Sequence, residues 1–389
     1  MGTYSSVPRT LLESHWTKPL PQLFPVAKCM DSFDKTYQYI GSIRNQTVDE
    51  EQCKPYFFAI SIENIAYAFK HDSIEVNHYI QLEKQKILSI QNNNDLAYLI
   101  TLDNGKIIML SYNINGFVTS EYNVNSAIMA LPIDESAFFV LSKDSFIYKV
   151  SNSGNIRIMW NNLKEFDCHN SIILEKYFIV QSRIKLLVYD MSSSKKLIID
   201  INENSTNLSP VRNSGFLLLS PNRKEIVVYR IGQDFVIKDI HIKFDNEIVN
   251  IVENASKGKK AKSGYISNSK ILVVFSDSLK LIEMDTDYRY NIHSINLEGS
   301  FSHSIPLRTP FNNMFVVIKN NNGMAFIRIM DNEELIIEIH EQPIIHQSPI
   351  IKIVSFFDLS ILSIDDSGKA ILWESYPDWW TIPHFYNMY

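Results

Sequence analysis

One hairpin pattern recurs eight times along this chain. A short apolar run is followed by a turn of Asn, Asp, Ser, Lys or Gly. A second, alternating run then closes on an aromatic residue or Met beside a charged one. The clearest copy is the last, Leu359–Glu374, with the sequence LSILSIDDSGKAILWE. The others are Ile65–Tyr79, Leu96–Tyr112, Ala137–Ser151, Tyr177–Asp190, Gly215–Arg230, Lys270–Asp285 and Met314–Asp331. Their end points lie 33, 39, 39, 40, 55, 46 and 43 residues apart. A period near forty built from strands alone predicts a ring of small β-sheets rather than a helical solenoid.

The strand reading rests on residue type. Glu225–Arg230, Lys185–Asp190 and Lys270–Phe275 are β-branched or aromatic runs bounded by turn formers. Such continuous apolar runs imply burial on both faces and are read as inner strands stacked between neighbouring sheets. Phe235–Ile242 and Leu335–His340 alternate, as half-exposed outer strands do. Only 12 glycines are present, so Asn, Asp and Ser must form many of the turns by bonding their own backbone.

Across residues 37–375 the chain resembles the WD40-type β-propellers. Asp365–Glu374 looks like that family's turn and closing dipeptide, and Tyr189-Asp190, Met284-Asp285 and Met330-Asp331 look like eroded forms of it. No Gly-His dipeptide occurs, so the buried His-Asp network typical of the family is not expected at any residue. The fold class expected is all-β: a single WD40-like propeller, with eight blades favoured over seven and an N-terminal strand closing the last blade. Tyr37–Ile43 is taken as that closing strand and Pro55–Ile60 as the first inner strand. Closure leaves no open sheet edge, which would be an aggregation hazard.

The domain reading is an N-terminal Pro/aromatic arm over residues 1–36, the propeller over 37–375 with a basic insertion at about 254–265, and an aromatic tail over 376–389. Trp16, Trp379, Trp380, Phe385, Tyr386 and Tyr389 are the candidate partner-binding residues, because Trp and Tyr dominate interface energetics. The arm is read as lying across the propeller, and for the tail folding back onto the ring is weighed against insertion into a partner subunit. Lys257, Lys259, Lys260 and Lys262 form a basic loop that suits a localisation signal or weak, salt-sensitive nucleic-acid contact, or is simply solvated.

The sequence offers little chemistry. Phosphate-binding, nucleophile-elbow and metal-loop motifs are missing, and the ten histidines do not take zinc spacing. Cys168-His169 is a single pair whose side chains should point to opposite faces of a strand. No catalytic residue, metal, cofactor or small-molecule substrate is therefore expected. Three widely spaced cysteines suit a reducing compartment. No secretory signal or membrane span is read, and Met1–Ser6 fits the loose myristoylation pattern only in form. A net charge of −6 argues against nucleic-acid binding over the whole surface. The expectation is a nuclear or cytoplasmic, non-catalytic scaffold within a multi-protein assembly. A nucleic-acid-associated nuclear factor and a hydrolase with a site in the channel are the alternatives.

Overall fold

The computed structural model describes residues 26–32, 37–43 and, with interruptions of which 161–167 and 254–268 are the longest, 56–374. The chain forms eight four-stranded antiparallel sheets. Seven take four consecutive strands, and the eighth pairs the last three strands with the first strand of the chain. First strands of neighbouring sheets touch one another and so surround the axis. In blade order these inner strands are Tyr37–Ile43, Ile87–Asn93, Ala127–Pro132, Cys168–Leu174, Thr206–Val211, Ile248–Glu253, Phe301–Pro306 and Ile350–Ser355.

What binds the blades is apolar surface on both faces of the second and third strands. Tyr177–Ser182, Gly215–Leu219 and Ser269–Phe275, all second strands, are buried along their whole length. The buried apolar side chains separate into eight clusters, one for each interface between neighbouring blades. One of them closes the ring, packing Ile40, Phe57, Ala59, Tyr67 and Phe69 of blade 1 against Leu362, Ile364, Ala370 and Leu372 of blade 8. Eight interfaces for eight sheets settle the blade count.

The expected frame is corrected in blade 1. Its second and third strands are Tyr56–Ser61 and Ile65–Phe69, so Ile65–Tyr79 joins the third strand to the fourth rather than the second to the third. With Phe69 as the end of the third strand, the next such end, Asn113, lies 44 residues on, and the short first interval disappears. Tyr37–Ile43 is the inner strand of blade 1. The strand that closes blade 8 is Val26–Ser32, inside the segment read as the arm; it lies antiparallel to Lys369–Glu374 with Val26 opposite Glu374 and Ser32 opposite Lys369. The continuous apolar runs are second and third strands, not inner ones, because inner strands have one edge on the channel.

A second repeat, invisible in composition, lies in the backbone. Each inner strand shifts register where it meets the end of the second strand, between Tyr37/Tyr39, Ile87/Ser89, Ala127/Met129, Cys168/Asn170, Thr206/Ser209, Ile248/Asn250, Phe301/Ser304 and Ile350/Lys352. A bulge re-aims the residue that follows and sharpens the local twist. Here it does so at the same level in all eight blades.

Two interfaces use glycine for close approach. A Cβ at Gly41 would fall 2.7 Å from Tyr98 Oη of the next blade, and one at Gly215 would overlap Tyr288 Oη. Tyr98 is fully buried, stacks on Phe58 with centroids 4.6 Å apart, and donates its hydroxyl to the Ser42 carbonyl at 2.5 Å. Gly41→Ala is expected to destabilise the protein by about 1–3 kcal/mol through overpacking. Combining it with Tyr98→Phe should recover part of that loss in urea unfolding, because the two positions share one contact. Strict additivity of the two substitutions would remove this account of Gly41.

Candidate functional site

The ring has two unlike faces. One, here the upper face, carries the turns between second and third strands and the connections from blade to blade. The connections are pinned to the turns by backbone bonds: the amides of Leu82, Val124, Ile201 and Phe244 donate to the carbonyls of Asn64, Gly105, Ile184 and Lys224. Leu82, Val124 and Phe244 bury their side chains as they do so, as does Leu297 in the connection from blade 6 to blade 7.

Before blade 8 a histidine takes this place. His346 is 2% exposed; its Nδ1 lies 3.0 Å from Asp365 Oδ2 and its Nε2 lies 2.6 Å from Ser363 Oγ. Trp373 Nε1 donates to the same Ser363 Oγ at 2.7 Å. A carboxylate can only accept, so Nδ1 carries a proton and donates it to Asp365, while Ser363 Oγ accepts from the indole and can donate to Nε2. Asp365 Oδ1 also accepts from the Ser367 and Lys369 amides and from Ser367 Oγ. Burial by itself would push the Asp365 carboxyl up, but the hydrogen bonds from Ser367, His346 and Lys369 outweigh it and hold it below its ordinary value. The expectation that no His-Asp network exists is thus corrected. The histidine sits 19 residues before its aspartate without a preceding glycine, so a dipeptide search passes over it.

Asp190, one of the eroded endings, does half of this work. Its Oδ1 accepts from the Ser192 and Ser193 amides and from Ser192 Oγ. Burial opposes ionisation there too, and the serine hydrogen bonds reverse it, leaving the carboxyl far below its usual value.

The channel is lined at the level of the bulges. There Asn250 Nδ2 donates to His303 Nδ1 at 2.8 Å, from blade 6 to blade 7. On blade 8, Lys352 Nζ stands 5.9 Å from the centroid of the Tyr39 ring of blade 1. Between blades 3 and 4, Ser171 Oγ lies 3.1 Å from Met129 Sδ. Partial desolvation lowers the pKa of both His303 and Lys352, although His303 as a residue is exposed and Lys352 is half-buried. A hydrolase in the channel called for converging carboxylates or histidines. His303 stands there beside an amide and near an ammonium, and the single acidic residue on the eight inner strands, Glu253, ends its strand at the opposite mouth.

The other sequence candidates fall as follows. Trp16, Trp379, Trp380, Phe385, Tyr386, Tyr389, Lys257, Lys259, Lys260 and Lys262 lie outside the described residues. Cys168-His169 opens the inner strand of blade 4, where the register shifts between Cys168 and Asn170. Among the described residues no cluster of three or more His, Cys, Asp or Glu is arranged to hold a metal ion. No described helix is long and apolar enough to cross a membrane. Sequence reasoning missed the exposed isoleucines of the upper face, Ile62, Ile184 and Ile351, which are 64%, 47% and 66% exposed.

No family model matches the chain, and none of the curated proteins does. Solved structures do match. The crystal structure of BamB from Moraxella catarrhalis superposes with a TM-score of 0.53 at 8% identity, covering 90% of this chain and 97% of that one. The computationally designed Ika8 protein gives 0.55 at 9% identity, covering 90% and 99%. The Cps50 (Swd1) β-propeller domain of Myceliophteria thermophila gives 0.48 at 9% identity, covering 88% and 98%. At such identities the likeness is one of fold, and the chain is an eight-bladed β-propeller.

The blade 8 network sets two outcomes. His346→Ala should cost about 1–3 kcal/mol in urea unfolding, because it strands buried polar groups on Asp365 and Ser363. A carboxylate whose folded pKa is depressed contributes stability that is complete above the ordinary value of about 4 and is lost as pH falls through the folded value. Asp365→Asn should therefore be less stable than the parent at neutral pH and show a flatter loss below pH of about 4. An acid limb identical to the parent's would contradict the assigned role.

Proposed function

We propose that the protein is a non-catalytic interaction scaffold, a propeller subunit of a larger protein assembly, which engages partners through its lower face. The observation that carries this reading is the pairing of Val26 with Glu374. Strand Lys369–Glu374 runs from the upper face to the lower, so the chain on either side of the ring is rooted at one point of the lower face. The segment containing Trp16 ends there, and the segment containing Trp379, Trp380, Phe385, Tyr386 and Tyr389 begins there. Two aromatic-rich segments of one chain at a common root can form a single anchor, and a few buried aromatics carry most of the energy of an interface.

The strand ends that flank the lysine cluster in sequence, Glu253 and Ser269, lie at that face. The cluster's segment joins the inner strand Ile248–Glu253 to the second strand Ser269–Phe275 of blade 6, a connection that starts and ends opposite the pinned upper turns. The two longest connections between strands, 44–55 and 254–268, both leave the ring at the lower face, and long connections are where binding segments are carried. A nuclear or cytoplasmic setting, in keeping with three dispersed cysteines, belongs to the same proposal.

Deletion of residues 376–389 is expected to release co-purifying subunits from the tagged endogenous protein while leaving its unfolding temperature within a few degrees of the parent. Subunits retained at parental stoichiometry after the deletion, or a monomeric parent at physiological concentration, would overturn the proposal.

A further inference from the structure

The upper mouth of the channel carries an electrostatic asymmetry that the scaffold reading does not use. Across the eight inner strands the fully charged residues are Lys352 and Glu253. Lys352 is the third residue of its strand and Glu253 the last of its own, so they occupy opposite ends of the channel. The described residues place no carboxylate within salt-bridge distance of Lys352 Nζ, which stands over the face of the Tyr39 ring. An ammonium drawn partly out of water without a counter-charge is costly, and burial is what depresses its ionisation.

His303 adds a second donor. Because Asn250 Nδ2 donates to Nδ1, that nitrogen accepts and the imidazole proton resides on Nε2. Among the described residues Nε2 has no hydrogen-bond partner. His303 lies within the bulge of blade 7, between Phe301 and Ser304, Lys352 follows the bulge of blade 8, and the inner strands of these two blades are in contact. Beside them Asn250 Oδ1 and Ser304 Oγ are buried without a partner. Groups that only donate, an ammonium and an Nε2–H, therefore stand on adjacent blades at one level. A hydroxyl beside them has its hydrogen-bonding capacity unused.

We propose that this mouth is a binding site for an anionic oxygen group, a carboxylate or a phosphate, held by Lys352 Nζ and His303 Nε2. Charge-assisted bonds to such a group would satisfy both donors and supply the counter-charge that the inner strands lack. The site is distinct from the aromatic root on the lower face and does not rest on the scaffold reading. The Tyr39 ring and the exposed Ile351 border it and favour an anion carried on an apolar stem.

The test is NMR of the unmodified protein with labelled histidine and lysine side chains, titrated separately with inorganic phosphate and with acetate at constant ionic strength. A saturable shift of the His303 and Lys352 signals is expected with at least one probe, and the probe that saturates tells phosphate from carboxylate. Lys352→Met should weaken that binding at least ten-fold, whereas Met at the exposed Lys195 should leave it unchanged. His303→Asn provides a second variant should the first prove unstable, and should weaken binding as well. Shifts that stay linear in both probes, or saturation that survives Lys352→Met, would overturn the site.

Discussion

Each blade of this ring is apolar on both faces, so no blade is complete until it lies between two others. Seven of the eight interfaces join blades that are neighbours in sequence and can form as the chain collapses. The eighth joins blade 1 to blade 8 and brings together Phe57 and Leu362, more than three hundred residues apart. Cover for the two exposed faces depends on that one contact, and Val26–Ser32 completes blade 8 by adding its fourth strand. A chain lacking that strand would present a bare edge at Lys369–Glu374, the arrangement that invites strand addition by another copy.

The same closure organises the surfaces. By laying Val26 against Glu374 it fixes both flanks of the ring at one point of the lower face, while the upper face is held by turn-to-connection hydrogen bonds that recur from blade to blade. The bulge that opens every inner strand belongs to this upper level. Asn250 and Lys352 follow it and His303 lies within it, while Asp365, opposite Ile350 at the start of the bulge in blade 8, is held by His346. Structural and candidate binding groups thus arise from one repeated backbone feature, with the side chains deciding which blade does what.

The period and the alternation of the outer strands were readable in the sequence because burial on two faces and on one face leave different patterns. The frame of blade 1 was not. Tyr37–Ile43 and Tyr56–Ser61 are both apolar and short, and nothing local tells an inner strand from a second strand; the distinction comes from which edge meets the channel. Val26–Ser32 is harder still, since its pairing with Lys369–Glu374 spans the whole ring. The His346 network escaped for another reason. Leu82, Val124, Phe244 and Leu297 do by apolar burial what His346 does by hydrogen bonding, so the connections share a role without sharing a residue type. The channel donors were hidden because a lone Lys and a lone His on different strands carry no spacing signal.

Ring closure is tested most directly by amide hydrogen exchange read at single residues in the native protein. The account expects the paired amides of Val26–Ser32 and those amides of Lys369–Glu374 that face them to exchange slowly and to be released together in one opening event, while the amides of Lys369–Glu374 that face Ile361–Asp365 are protected by that strand as well. Exchange of residues 26–32 at unfolded-chain rates while Lys369–Glu374 stays protected would show that this strand does not close the ring.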